Sequence, residues 1–154
     1  MKKFFLVLLF MMLYGVLMSS LHAVQYYYKQ INLGENLSST VCCTLVDDQG
    51  FVWIGSQSGL GKFDGYELKS YVHKASDPNS LPDNLIHKIV EDKQYNIWVL
   101  TGKGIACYQH ENDNFVIPTD ETGQRIVAFS FCHSDDGILF GSYNKGKLSA
   151  NSVY

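Results

Sequence analysis

Arginine is nearly absent from this 154-residue sequence, in which Arg125 is the only one. The chain carries 12 basic and 15 acidic side chains, so its formal net charge is −3. Nucleic-acid binding depends on clustered Lys and Arg that neutralise phosphates, and we therefore expect no nucleic-acid partner. A planar clamp for phosphate or carboxylate that uses several arginines is also excluded, because the chain has only one arginine.

Recognisable catalytic arrangements are also lacking. A phosphate-binding loop leads into a helix, whereas Gly59-Leu60-Gly61 lies in a predicted hairpin. A glycosidase needs two carboxyl groups facing each other across a site. The carboxylate pairs of this chain instead recur at one predicted turn per repeat, where Asp accepts backbone hydrogen bonds: Asp47-Asp48, Glu91-Asp92 and Asp135-Asp136. We therefore predict no catalytic residue and no enzyme activity for this chain.

Metal-binding spacing is missing as well. His110 follows Cys107 by three residues and His133 follows Cys132 directly, but neither arrangement forms the paired ligand pairs of a zinc site. We expect no metal and no cofactor. The four cysteines, Cys42, Cys43, Cys107 and Cys132, are interpreted as small apolar fillers of strands, with one or two disulfides as the alternative in an oxidising compartment.

The first 23 residues form a separate segment. A basic start, Lys2-Lys3, precedes an uncharged apolar run over residues 4–18, and small residues lead to Ala23. This is the layout of a secretory signal peptide, which predicts export with cleavage after Ala23. An uncleaved membrane anchor is the alternative, although a run of 15 residues is short for spanning a bilayer.

The mature part, residues 24–154, repeats itself at a spacing of 45 residues. Trp53 and Trp98 hold the same place in the first two copies, as do Gly59 and Gly104. In a degraded third copy with one residue deleted, Phe140 is expected to take the Trp place. Where the first copy has Gly50 in its turn, the second has Tyr95-Asn96, and we expect Asn96 to adopt the left-handed conformation.

Each copy is typical of a β-meander, because short apolar runs alternate with Asp- and Gly-containing turns. Tyr26-Tyr27-Tyr28 and Ile31 also have high strand preference. The predicted strands are 40–46, 51–56, 60–63 and 66–72, then 86–90, 96–101, 105–108 and 114–117, and finally 127–131 and 138–142 followed by a strand from Lys147.

A four-stranded meander repeated at about 45 residues predicts an all-β fold of β-propeller blades. The predicted blades are residues 36–80, 81–122 and 123–154, with the ring at each Trp place packed between neighbouring blades. Because a propeller needs typically four to eight blades to close, we expect an incomplete propeller. Further blades or another chain would complete the ring.

Three segments resemble the two-component regulator propeller repeat, which is the periplasmic sensor of hybrid two-component systems in glycan-degrading gut bacteria. They are Asp47–Ser56, Ser58–Tyr66 and Asp77–Ile86. The resemblance implies an exported sensor segment that binds oligosaccharide and signals to a histidine kinase absent from this chain. Ligand residues do not follow from it, because the glycan site is not part of the repeat motif.

Two alternatives remain open. The chain is otherwise a fragment of a propeller polysaccharide lyase or glycosidase, or a truncated remnant without activity. Membrane contact is expected only through the N-terminal segment or through parts outside this sequence.

Overall fold

The computed structural model describes residues 2–18, 27–34, 37, 39–120, 122–134, 137–144 and 147–153. The chain divides into two compact units, residues 1–31 and 32–154. The first contains helix α1 (Lys2–Met18). The second contains the strands β1 (Val41–Val46), β2 (Val52–Ser56), β3 (Leu60–Phe63), β4 (Leu68–Tyr71), β5 (Ile86–Glu91), β6 (Ile97–Thr101), β7 (Gly104–Gln109), β8 (Asn114–Val116), β9 (Ala128–Ser134), β10 (Gly137–Asn144) and β11 (Lys147–Val153).

Helix α1 covers the apolar run of the predicted signal peptide. Leu, Met and Phe dominate it, and the straight-chain members have good helix propensity. Within the described ranges, no helix has both the length and the apolar character needed to cross a membrane. The predicted cleavage point at Ala23 lies outside the described residues.

The described residues of the second unit form three antiparallel sheets, which confirms the predicted fold class. The strand order is β1-β2-β3-β4 in the first sheet, β5-β6-β7-β8 in the second and β11-β10-β9 in the third. Within each sheet, every strand pairs with its neighbour in the sequence, as expected of meanders joined by tight turns. The open sheets fit an incomplete propeller. Residues 27–34 contain no strand, so the strand preference of Tyr27, Tyr28 and Ile31 is not realised.

The turns before β2 and β6 share one geometry. Gly50 has φ 87° and Tyr95 has φ 65°, and each amide donates to the carbonyl of the turn's Asp, Asp47 or Asp92, at 3.0 Å. The prediction that Asn96 adopts the left-handed conformation is therefore wrong. Asn96 instead donates its amide to the Asp92 carboxylate, which holds it at the entrance of the strand.

A β-bulge interrupts the first strand of each sheet. The register shifts after Val41 in β1 and after Ile86 in β5. Ala128 pairs with Ser142 and Ser130 with Gly141, which leaves one extra residue in β9 as well. A bulge turns the extra residue away from the ladder, and Cys42 is exposed at this position.

The cysteines match the filler interpretation only in part. Cys107 is buried and Cys43 is half-buried, but Cys42 and Cys132 are exposed. The filler interpretation is therefore wrong for Cys42, which lies in a bulge, and for Cys132, which lies level with the exposed Leu139. All four thiols are free.

Two apolar seams join the three sheets. Trp53 is fully buried in the first seam, where it packs with residues of the second sheet that include Ile97 and Val99. Trp98 occupies the second seam, where it packs with Phe131 and Phe140 of the third sheet. Adjacent sheets are thus held together mainly by buried aliphatic and aromatic surface.

Phe140 does not occupy the Trp place. Ser142 pairs with Ala128 as Thr101 pairs with Ile86, which sets Leu139 level with Trp98. Leu139 is 40% exposed, whereas Phe140 is buried and faces the second sheet. The sequence-based prediction is wrong because the missing residue lies between β9 and β10 and not within β10. Cys132 pairs with Leu139, and Val90 pairs with Trp98 at the equivalent place of the second sheet. The first pair is one residue closer together in the sequence than the second.

Candidate functional site

A cleft of about 470 Å³ opens on the first sheet beside the turn between β7 and β8. We call it the hairpin cleft, because the β3–β4 hairpin supplies most of its wall. Its lining combines aromatic, apolar and charged side chains: Phe51, Lys62, Asp64, Glu67, Leu68, Lys69, Tyr71 and Asp113.

Strand register places the cationic side of the cleft on the face that carries Trp53. Trp53 pairs with Lys62, and Lys62 pairs with Lys69. Directly paired residues of antiparallel strands project from the same face of a sheet, as do residues two apart in one strand. Tyr71, two residues beyond Lys69, therefore also faces the second sheet.

Asp113 brings the second sheet into the cleft. It lies in the turn between β7 and β8 at φ 52°, a conformation that Asp tolerates better than most residues. Its Oδ1 accepts hydrogen bonds from the hydroxyls of Tyr71 at 2.5 Å and Tyr108 at 2.6 Å. Its Oδ2 forms an ion pair with Lys69 Nζ. One carboxylate thus links both sheets.

Burial raises the pKa of Tyr71 well above its usual range, and the neighbouring Tyr108 adds to the shift. The phenol therefore remains a neutral hydrogen-bond donor to Asp113 across ordinary pH. Because the side chain of Lys69 is largely exposed and that of Asp113 is partly exposed, their ion pair alone contributes little stability. The two tyrosine hydroxyls are the more firmly placed partners of Asp113.

The Lys62 ammonium is enclosed by aromatic rings. It lies 4.0 Å from the centroid of Phe51, 5.2 Å from that of Trp53 and 5.0 Å from that of Tyr108. Its nearest described hydrogen-bond partner is the Tyr108 hydroxyl, at 3.4 Å. Cation–π attraction therefore fixes this side chain at the wall of the cleft.

An aromatic cluster lies behind the cleft. The ring of Trp53 meets that of Tyr108 edge-on at 4.9 Å, and Tyr71 meets Phe115 edge-on at 5.4 Å. Edge-to-face pairs contribute beyond their buried area. Each ring of the cluster thus packs against at least one other ring of it.

The acidic rim of the cleft is the tight turn between β3 and β4. Asp64 Oδ1 accepts from the backbone amides of Glu67 at 2.7 Å and Tyr66 at 2.8 Å. These bonds lower the pKa of Asp64, so its carboxylate stays ionised at neutral pH. The rim therefore presents hydrogen-bond acceptors opposite the lysines.

The carboxylates of the first two repeat copies serve the fold, while Asp135-Asp136 lie outside the described residues. Asp47 Oδ2 accepts from the Trp53 indole at 2.7 Å, and Asp92 Oδ2 accepts from the Trp98 indole at 2.8 Å. The other oxygen of each Asp accepts backbone amides of its own turn. Glu91 in turn accepts from the Asp48 amide of the neighbouring sheet. The hydrogen bonds of these carboxylates therefore stabilise turns and the contact between sheets.

The glycines of the repeat lie where backbones approach closely. A Cβ on Gly59 would be 2.6 Å from the Tyr71 carbonyl, and a Cβ on Gly104 would be 2.8 Å from the Ile126 carbonyl. The Gly59 and Gly104 carbonyls accept from the hydroxyls of Ser56 and Thr101 respectively. Both residues therefore belong to the turn architecture and not to the cleft.

His110 and Cys107 each have other surroundings than a metal site in the described part of the chain. His110 lies edge-on to the Tyr108 ring and 3.2 Å from the Tyr95 carbonyl. Cys107 is buried, and burial raises its pKa to about 11, which disfavours the thiolate that a metal requires. In the described part of the chain, no three His, Cys, Asp or Glu residues are grouped to hold a metal. The side chain of His133 lies outside that part.

Sequence reasoning missed the hairpin cleft altogether. A signal was nevertheless present, because several cleft residues are among the positions at which the second copy departs from the first. Strand pairing places Cys107 in the second sheet where Lys62 lies in the first, and Val116 where Lys69 lies. A repeat position whose charge and aromatic character appear in one copy only is a candidate for a specific role.

Residues 80–103 match the family model described as Two component regulator propeller. The chain carries a two-component regulator propeller repeat. The matched segment runs from the end of the polar connector through β5 and β6 to the turn at Lys103. It therefore covers the first half of the second sheet, including Asp92 and Trp98.

A solved extracellular domain resembles the fold. The extracellular domain of BT3049 from B. thetaiotaomicron, assigned to the hybrid two component systems, superposes with a TM-score of 0.58 at 23% identity over 80% of this chain. The extracellular domain of BT4673 from the same organism gives 0.39 at 17% identity over 82%. This chain spans 20% of the first domain and 29% of the second. The search of curated proteins gave no match.

Proposed function

We propose that this chain is an exported, ligand-sensing segment of a hybrid two-component sensor, which recognises oligosaccharide and signals to a kinase outside this sequence. The propeller repeat over residues 80–103 supports the family context, and the likeness to an extracellular domain supports the fold. The apolar helix Lys2–Met18, in the place of a signal peptide, supports export to the periplasm.

The hairpin cleft is the observation that carries the oligosaccharide assignment. Sites for small molecules combine apolar and aromatic walls with a few placed polar groups. Phe51 and Tyr71 offer ring surface, Lys69 offers donors, and Asp64 and Glu67 offer acceptors. A sugar presents an apolar ring face and a rim of hydroxyls that both donate and accept, which matches this mixture.

A binding role fits the carboxylates better than a catalytic one. A glycosidase general acid requires a raised pKa, whereas backbone hydrogen bonds lower the pKa of Asp64. Both oxygens of Asp113 are already engaged by Tyr71, Tyr108 and Lys69. We therefore propose that the cleft holds its ligand without cleaving it.

Binding to a panel of oligosaccharides tests the proposal. The full chain would be titrated with neutral hexasaccharides of glucose, mannose and xylose, with heat of binding as the readout. We expect Lys69→Ala to weaken binding about tenfold, equivalent to about 1.4 kcal/mol. Lys103→Ala is the matched control, since Lys103 is an exposed lysine paired to a carboxylate away from the cleft.

Two results would contradict the proposal. Absence of binding to every hexasaccharide would remove the ligand class. Equal affinities of the Lys69→Ala and Lys103→Ala variants would remove the hairpin cleft as the site. Release of shortened products during the titration would favour the glycosidase alternative.

A further inference from the structure

The hairpin cleft has walls from two different sheets. Seven of its lining residues belong to the segment from Phe51 to Tyr71, which contains β2, β3 and β4 of the first sheet, and Asp113 belongs to the second sheet's β7–β8 turn. The cleft is therefore complete only when the β7–β8 turn lies against the first sheet. Its integrity depends on the first seam.

Asp113 is part of that seam as well as of the cleft. From the first sheet, Tyr71 and Lys69 donate to its carboxylate, and from the second sheet Tyr108 donates to the same group. A second polar contact across the seam is the one from Lys62 to the Tyr108 hydroxyl. The cleft wall and the seam thus share side chains.

The hydrogen bonds within this cluster leave donors of Lys69 available to a ligand. Tyr71 and Tyr108 both donate to Oδ1 of Asp113, and Lys69 takes Oδ2. An ammonium has three donors, so Lys69 retains N–H groups for a ligand hydroxyl while Asp113 holds it in place. A ligand that uses Lys69 and the Tyr71 ring therefore depends on Asp113 without having to displace it.

We propose that an oligosaccharide in the hairpin cleft strengthens the docking of the second sheet on the first, with Asp113 as the residue that couples the two. This inference rests on the proposed function. A ligand that binds one of two states shifts the equilibrium toward that state, and here the competent state is the docked seam. Binding of the ligand thereby changes how firmly two neighbouring blades are held together.

Hydrogen exchange of the seam tests the coupling. The Phe115 amide donates to the Asn79 carbonyl at 2.9 Å, so it reports how firmly β8 is held. The probe is the mixture of neutral hexasaccharides of glucose, mannose and xylose, added to the full chain. We expect exchange at Phe115 to slow about tenfold on saturation, which is an ordinary coupling between two sites.

Variants separate coupling from stability. Asp113→Asn is expected to weaken binding about tenfold and to abolish the slowing at Phe115. Tyr71→Phe keeps the ring but loses the hydroxyl that donates to Asp113, so at saturating ligand its slowing at Phe115 is expected to be smaller than that of the unmodified chain. This variant also serves if Asp113→Asn fails to fold. Asp120→Asn is the matched control, because Asp120 stabilises a turn away from the cleft.

The outcomes distinguish the inference from the proposed function. If the hexasaccharides bind and Phe115 exchange is unchanged, the coupling is wrong and the binding role stands. If Tyr71→Phe and Asp120→Asn both behave like the unmodified chain, Asp113 does not couple through Tyr71 and the inference fails. If no hexasaccharide binds, both fall together.

Discussion

The Asp47 carboxylate accepts a hydrogen bond from the indole of Trp53 at 2.7 Å, six residues along the chain and within the first seam. Asp92 and Trp98 repeat the arrangement at 2.8 Å. The pair explains why acidic turn residue and tryptophan recur together: the ring is buried, and its N–H needs an acceptor that the turn provides.

Removal of the carboxylate should therefore destabilise the first seam. We expect Asp47→Ala to lower the free energy of unfolding by about 2 kcal/mol, because the buried indole N–H loses its partner. Asp48→Ala is the control, since Asp48 is exposed at the neighbouring position, and should change it by less than about 0.5 kcal/mol. Urea unfolding measures both; equal values would contradict the assigned role of the pair.

Truncation of the ring itself should cost more. Trp53 is fully buried, and Trp53→Ala should lower the free energy of unfolding by about 3 to 5 kcal/mol. Tyr66, which is 93% exposed, provides an aromatic control whose change to Ala should be close to neutral. A near-zero effect of Trp53→Ala in thermal or urea unfolding would show that the first seam does not hold the sheets together.

Much of this architecture could be predicted from the sequence. Turn residues and alternating apolar runs repeat at a fixed spacing, so every strand from β1 to β8 lies within two residues of its predicted bounds. The prediction that Phe140 takes the Trp place is wrong because successive residues of a strand face opposite sides of the sheet. A single missing residue in the preceding turn therefore moved the alignment onto the wrong face.

The hairpin cleft could not be predicted in the same way. Lys69 and Tyr71 are separated from Asp113 by more than forty residues in the sequence, and their meeting depends on how two sheets pack. The repeat pattern does not indicate the site, because the second copy has neither the charge of Lys62 nor the aromatic ring of Tyr71 at the corresponding positions. The left-handed conformation of Tyr95 could not be predicted either, since the neighbouring Asn96 is of a residue type that tolerates this conformation better than Tyr does.

Close backbone approach gives a prediction for the repeated glycines. Gly59 has φ 150° and lacks room for a Cβ beside the Tyr71 carbonyl. Gly59→Ala should therefore lower the free energy of unfolding by more than about 1 kcal/mol. Gly141→Ala is the matched control, because a Cβ there meets nothing within 4 Å. Comparable denaturation midpoints for the two variants would argue against the steric explanation.

The buried phenol predicts a loss of stability at high pH. The pKa of Tyr71 is raised in the folded state, whereas an unfolded tyrosine ionises near pH 10. The stabilisation is therefore fully present below about pH 10 and falls as the pH rises above it, because only the unfolded chain then loses the proton. Urea midpoints measured across this range should fall less steeply for Tyr71→Phe; identical slopes would contradict the shift.

Thiol accessibility offers a further check. Cys42 and Cys132 are exposed, while burial raises the pKa of both Cys43 and Cys107 to about 11. Iodoacetamide at neutral pH should therefore label Cys42 and Cys132 first, because the reactive species is an accessible thiolate. Peptide mass spectrometry reads the order, and early labelling of Cys107 would mean that the second seam opens readily.

The most direct test of the account is a map of amide chemical shifts during titration of the full chain with the hexasaccharide mixture. The account predicts that the shifts concentrate around the hairpin cleft, at Lys62, Lys69, Tyr71 and Asp113, and spare the Trp98 region of the second seam. Shifts confined to another surface would contradict the assignment of the cleft, and a spectrum unchanged at saturation would contradict oligosaccharide recognition by this chain.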